Sequence, residues 1–204
     1  MPYRSTENTR SKKDAKRTAM MQAAVRVFAQ KGYHSATIRD VVGEADVAIG
    51  TFYFYFPDKE TLFVHLYDET AEFLLTALQQ AIGSRTTLHK QMSSVVQTYV
   101  NLALYDPAII NLLLVGGVGA VASLHNKRAA FRERLINIYQ RPLDDALDKG
   151  MIAEQDTRRS AEALAGAFDE VVLNLLAHPD PEMESKTIVQ DMTMFALRAV
   201  AYNG

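Results

Sequence analysis

Along the first third of the chain, apolar residues recur every three to four positions, and the recurrence is interrupted at regular places. Met20, Ala24, Val27 and Phe28 share one helical face, and Gly32 then offers the left-handed backbone that commonly closes a helix. A first helix is therefore expected over about 13–31. Thr37 reads as the N-cap of a short second helix carrying Ile38, Val41, Val42 and Ala45, and Asp40 sits where a carboxylate suits the positive helix end. A third helix, over about 48–56, must stop before Pro57, which lacks an amide hydrogen and restricts the residue ahead of it. Asp58 then caps a long fourth helix whose apolar stripe, through Leu62, Phe63, Leu66, Tyr67, Leu74 and Leu78, continues towards Ile82.

The same spacing continues downstream, with helices expected over about 87–105, to about 115, over 124–149 with Pro142 inside, over 156–177 and over 182–201. No segment alternates as a strand, so the fold class is all-α. Gly116, Gly117 and Gly119 interrupt the apolar run at 109–124. They lack the Gly-Lys-Ser/Thr of a phosphate loop and read as a helix break. That run is also too short to span a bilayer, so no membrane partner is expected.

Composition narrows the classes further. Of 204 residues, 48% are apolar, enough for a packed core, and there is no cysteine to make a disulfide, a thiolate metal site or a thiol nucleophile. The polar, basic N-terminus does not resemble a secretory signal, and a cytoplasmic location is expected. His34, His65, His89, His125 and His178 are scattered singly, so no metal, cofactor or catalytic residue is expected and an enzyme is disfavoured. Net charge is −2, but residues 1–60 carry ten Lys or Arg against seven Asp or Glu, while the remainder is acidic. The basic residues concentrate in an expected flexible arm at 1–13 and just beyond it, which suits either phosphate contact or a solvated tail.

Two short helices joined by a tight turn, with a third ahead of them, form a helix-turn-helix over 37–56. Ile49, Phe52 and Phe56 fall on one stripe that can face Val41, Val42 and Phe28. Gly50 and Thr51 occupy the N-terminal end of the second helix of the motif, where small residues permit close approach to base edges. Tyr53 and Tyr55 carry hydroxyls that can bond phosphate oxygens, and Lys59 follows as a phosphate cation.

The set Thr37, Val41-Val42, Val47, Gly50-Thr51-Phe52-Tyr53, Tyr55-Phe56, Lys59-Glu60 and Leu62 resembles the N-terminal motif of the tetracycline-repressor (TetR) family. The likeness extends over about 14–74. It implies that Thr37, Tyr53, Tyr55 and Lys59 contact phosphates, that Ile49, Gly50 and Thr51 lie nearest the bases, and that a homodimer represses from a palindromic double-stranded DNA operator. Asp46 replaces the usual turn glycine and must adopt a left-handed backbone at some cost. Gly43 lies inside the second helix, where it suits close packing at a cost of about 1 kcal/mol relative to alanine.

The resemblance also implies a helical effector-binding and dimerisation domain over 75–204. A dimer interface is expected from Leu164, Phe168, Val171, Val172 and Leu175 with Ile188, Met192, Phe195 and Ala199, helped by small Ala165 and Gly166. Tyr99, Tyr105, Phe131, Tyr139 and Phe168, with Asn101, His125 and Asn174, are candidates for binding a small apolar or amphipathic effector, though an ordinary core has the same composition. A dimeric helical interaction or small-molecule-binding module without a DNA role would explain these helices, but it leaves the 50–59 arrangement unused.

Overall fold

The computed structural model describes residues 7–116, 119 and 121–203, with side chains from residue 15 onward. The described residues form α-helices and contain no strand: α1 (Glu7–Ser35), α2 (Ile38–Glu44), α3 (Ile49–Tyr55), α4 (Lys59–Gly83), α5 (Leu88–Tyr105), α6 (Pro107–Asn111), α7 (Leu124–Asp148), α8 (Thr157–Ala177) and α9 (Pro181–Ala199). A π-helical turn, Leu112–Gly116, directly follows α6. The chain divides into one compact unit of residues 1–69 and 111–124 and another of 70–110 and 125–204, with α4 contributing to both. Among the described residues no single helix is long and apolar enough to cross a membrane.

Helix ends fall where side chains can take up the free backbone amides. The Thr87, Asp156 and Asp180 side chains accept hydrogen bonds from Lys90, Arg159 and Met183 amides, capping α5, α8 and α9. Asp58 accepts from the Thr61 amide at 2.7 Å ahead of α4. Pro181 occupies the first turn of α9, where its missing amide costs nothing, so that helix starts before the expected Glu182.

Three expectations are revised within the first unit. α1 begins at Glu7, so residues 7–13 are helical where a flexible arm was expected, and residues 1–6 lie outside the described residues. That stretch has no glycine or proline, and its Glu7, Arg10, Lys12 and Lys13 are good helix formers. Gly32 does leave helical geometry (φ 72°, ψ 161°), but one further turn continues to Ser35. Finally, a Cβ at Gly43 would meet nothing within 4 Å, so no neighbour presses against it. Gly43→Ala is therefore expected to raise stability by about 0.5–1 kcal/mol, read as a higher urea midpoint at unchanged slope. A lower midpoint would reveal a packing constraint there.

In the second unit, α5 packs against α8 and α9, and α8 against α9. Leu164, Ala165, Phe168, Val172 and Leu175 of α8 are buried there within one chain. Four of the nine expected interface residues, Leu164, Phe168, Val172 and Leu175, are thus buried by the chain's own packing, because α5 supplies an apolar partner that a reading of α8 and α9 alone left out. Val171, Ile188 and Met192 are half-buried, while Phe195 (47% exposed), Met194 and Ala199 stay on the outer face of α9. Gly166 is exposed, with open space around it.

Candidate nucleic-acid interface

The interface is built on α2, the four-residue connection 45–48, and α3. Thr37 caps α2 through a reciprocal box: its hydroxyl accepts from the Asp40 amide at 3.1 Å, and the Asp40 carboxylate accepts from the Thr37 amide at 2.9 Å. The Thr37 hydroxyl also donates to Asp40, and Lys31 Nζ donates to the same carboxylate at 2.7 Å. These bonds to Lys31 and Thr37 hold the Asp40 carboxyl down at about 2. The stability this group contributes is therefore present above its ordinary value and is lost as pH falls through that lowered value. Asp46 turns the chain with φ 51°, as the missing glycine demanded, and the Asp46 and Val47 amides donate back to Gly43 and Val42 carbonyls.

On α3, Phe52 and Phe56 are buried and face each other with ring centroids 5.8 Å apart. Ile49 is not part of that core. It is 45% exposed, because it is the first residue of the helix and the apolar neighbours gather around Phe52 one turn further on. Ile49, Gly50, Tyr53 (55% exposed) and Phe54 (65% exposed) instead form an outward face, with Thr51 and Tyr55 half-buried at its margins. A Cβ at Gly50 would meet nothing within 4 Å, so the chain's own packing does not require glycine there. Its absence leaves room for close approach from outside, as base reading by a recognition helix needs. The edge contact of Phe54 with Tyr55, at 4.9 Å, was not foreseen from the motif.

Lys59 takes a different position from the one its sequence suggested. Its ammonium donates to the carbonyl oxygens of Tyr33 (2.7 Å) and Ala36 (2.9 Å), with a longer bond to His34, and lies 4.4 Å from the centre of the Tyr33 ring. The three donors of an ammonium match these three acceptors, so Lys59 ties the start of α4 to the end of α1. Arg17 and Arg26 are paired with Glu69 and Glu44. Arg39, exposed on the first turn of α2, has no ion pair among the described residues. It is the cation that motif reading passed over.

In the second unit, four expected effector residues do not converge. Asn101, Tyr105 (87% exposed), His125 and Asn174 lie on the surface. Tyr99, Phe131, Tyr139 and Phe168 are buried, with Tyr139 and Phe168 in edge contact at 5.5 Å. Helix periodicity alone cannot separate the two sets, since it locates a face only relative to neighbours not yet placed. Two charged residues missed by sequence reasoning join the buried group. Asp169 accepts from the Tyr99 hydroxyl at 2.7 Å and is ion-paired with Arg132. Burial pushes the Asp169 carboxyl up, opposed by the Tyr99 and Arg132 contacts. The Tyr139 hydroxyl is buried without a hydrogen-bond partner, and burial raises its pKa strongly. Between α5, α8 and α9 lies an apolar seam of only about 10 Å³, lined by Tyr99, Phe168, Val171, Ile188 and Met192 among others. A separate cleft of about 480 Å³ is lined by Arg134 and Arg141 of α7 with Gln79 of α4. No cluster able to hold a metal ion occurs among the described residues.

Residues 20–66 match the family model for bacterial regulatory proteins of the tetR family. The chain is 28% identical over 157 residues to the fatty acid metabolism regulator protein of Bacillus subtilis, covering 75% of this chain and 79% of that one. Its fold is similar to that of the fatty acid degradation regulator FadR from Bacillus halodurans (TM-score 0.81, 23% identity, 92% of this chain and 97% of the other). It is also similar to that of FadR from Bacillus subtilis in complex with stearoyl-CoA (TM-score 0.75, 23% identity, 86% and 97%). With the motif, its geometry and these relatives in agreement, residues 20–66 form an N-terminal domain of the tetR family of bacterial regulatory proteins, and the chain is a DNA-binding transcriptional regulator.

Proposed function

We propose that the protein is a cytoplasmic homodimer that represses transcription from a palindromic operator and is released by a long-chain acyl-coenzyme A. The observation that carries the DNA-reading part is the outward face of α3, where Ile49, Gly50, Tyr53 and Phe54 stand clear of the core. Thr51 is the chief hydrogen-bonding side chain near the tip, and Ile49 offers apolar contact suited to a thymine methyl. Tyr53, Tyr55 and Arg39 are assigned to phosphates. Thr37 contributes by setting the start of α2, and Lys59 by holding the α4 corner.

The effector part rests on the Bacillus subtilis relative, a fatty acid metabolism regulator, and on the FadR complex with stearoyl-CoA. The apolar seam between α5, α8 and α9 suits a hydrocarbon chain, but only after opening, since its present volume admits no ligand. Arg141 offers a cationic donor for the nucleotide phosphates in the separate cleft, where Arg134 is already paired with Glu72. Dimerisation is assigned to the outer face of α9 around Met194, Phe195 and Ala199, because the inner stripe is occupied.

Selection of bound duplexes from a random pool, followed by titration of the winning duplex with stearoyl-CoA, tests the whole reading. A palindromic product whose affinity falls on titration is the expected result. No enriched sequence would overturn the DNA reading, and an affinity indifferent to stearoyl-CoA would overturn the effector assignment. Individual roles separate by a second measurement. Tyr53→Phe should weaken binding about fivefold on every duplex at unchanged melting temperature, the loss of one hydroxyl bond. Lys59→Met should instead lower the melting temperature of the free protein. Normal melting with weak DNA binding in Lys59→Met would return that residue to the phosphates.

A further inference from the structure

We propose that the DNA-binding unit holds a small-molecule site of its own, between the end of α1 and the π-helical turn, which takes a compact, uncharged two-ring aromatic molecule. The cavity measures about 330 Å³. That is roughly twice the ~150 Å³ that accommodates benzene in an engineered apolar cavity, and it lies within the range of natural ligand pockets.

Its chemistry selects the occupant. Phe28, Tyr33 and Phe63 supply three aromatic walls, with Phe63 set edge-on to Phe28 at 4.9 Å and tilted to Tyr33 at 4.7 Å. Edge and face contacts to such a group favour a flat ring system over a flexible chain. None of the described lining residues is charged, and the Lys59 ammonium, on the Tyr33 ring, is spent on backbone carbonyls. An ionised ligand would therefore lose its hydration without a counter-charge. Asn111 and Tyr33 are the described lining residues with polar side chains.

Local backbone keeps the space open. The π-helical turn carries an extra residue per turn, a geometry that recurs at functional sites. Its Val115 is 53% exposed and lines the pocket, so the rim presents an apolar side chain to an occupant. At Gly116 a Cβ would lie 4.0 Å from the Phe63 ring, so any larger residue there would occupy the space.

The test uses the full chain and 2-naphthol, whose fluorescence can be read without tryptophan background because the chain has none. Saturable binding of one molecule per chain is expected below about 1 mM. Ala29 lines the pocket yet is exposed, so Ala29→Leu fills it from the open side without disturbing the core. It should weaken binding at least tenfold at unchanged melting temperature. Gly116→Ala, a smaller intrusion on a different element, should weaken it about threefold. Phe73→Ala removes an exposed aromatic of α4 outside the pocket and should leave binding unchanged. Absence of saturable binding, or binding that survives both Ala29→Leu and Gly116→Ala, overturns the proposal. Because no DNA is present, neither result depends on the operator or the acyl-coenzyme A effector.

Discussion

Phe52→Ala is expected to cost about 3–5 kcal/mol and to abolish DNA binding at temperatures where the parent protein binds. Phe52 is fully buried on α3 and contacts Phe56 and Tyr53 at centroid distances of 5.8 and 5.5 Å. α3 is seven residues long, too short to persist without tertiary packing, so its orientation depends on that ring. A loss of this size is a large share of the roughly 5–15 kcal/mol that separates most folded domains from unfolding. Phe54→Ala makes the internal control: its ring is 65% exposed, and removal should change stability by less than about 0.5 kcal/mol. Urea titration of both variants checks the pair. A Phe52→Ala loss below about 1 kcal/mol would mean that α3 is held by something other than its buried aromatic residues.

Arg132→Ala should destabilise the second unit by about 2–3 kcal/mol at neutral pH, with a deficit that shrinks in acid. Removing one member of a buried ion pair commonly costs about 3–5 kcal/mol, and the smaller figure reflects that the Arg132 side chain is 36% exposed and partly screened. Asp169 would retain the Tyr99 hydroxyl and the charge of Arg128, in surroundings that already push its carboxyl up. A carboxyl raised in the folded state favours folding below its unfolded value and loses that contribution as pH rises through the folded value. Without Arg132 the folded value rises further, so the deficit should be larger at about pH 8 than at about pH 5. Adding Asp169→Asn to Arg132→Ala should remove this pH dependence. A deficit equal at both pH values would show that Asp169 is not the group left exposed to the loss.

Both experiments probe features with different visibility in the sequence. Phe52 was placed in the core from its spacing with Phe56, and Asp169 was not singled out at all. The first depends on a local repeat. The second depends on α5 and α7 bringing Tyr99 and Arg132 to the same carboxylate across 70 and 37 residues of chain. No periodicity within α8 distinguishes an aspartate with such partners from one in solvent.

Lys59 illustrates the boundary at closer range. Its position four residues after Tyr55 marks it as part of the motif, but a cation can meet a phosphate or a backbone carbonyl with the same ammonium. Only the placement of the α1 end, with the Tyr33 and Ala36 carbonyls turned towards α4, favours the second use. Ile49 differs in the opposite sense: a buried position by spacing becomes an outward one because it opens its helix.

The sequence by itself determined the helices, the caps at Thr37 and Asp58, the left-handed turn at Asp46, and the helix-turn-helix as the DNA-reading element. These are local matters, decided within a few residues by backbone hydrogen bonding and steric preference. Tertiary structure alone decided which apolar faces of α8 and α9 the protomer keeps for itself, which candidate effector residues reach the interior, and where α1 and the π-helical turn leave a cavity. Each of those depends on a partner surface from a distant part of the chain, and amphipathic spacing shows that a face will be buried without showing what will bury it.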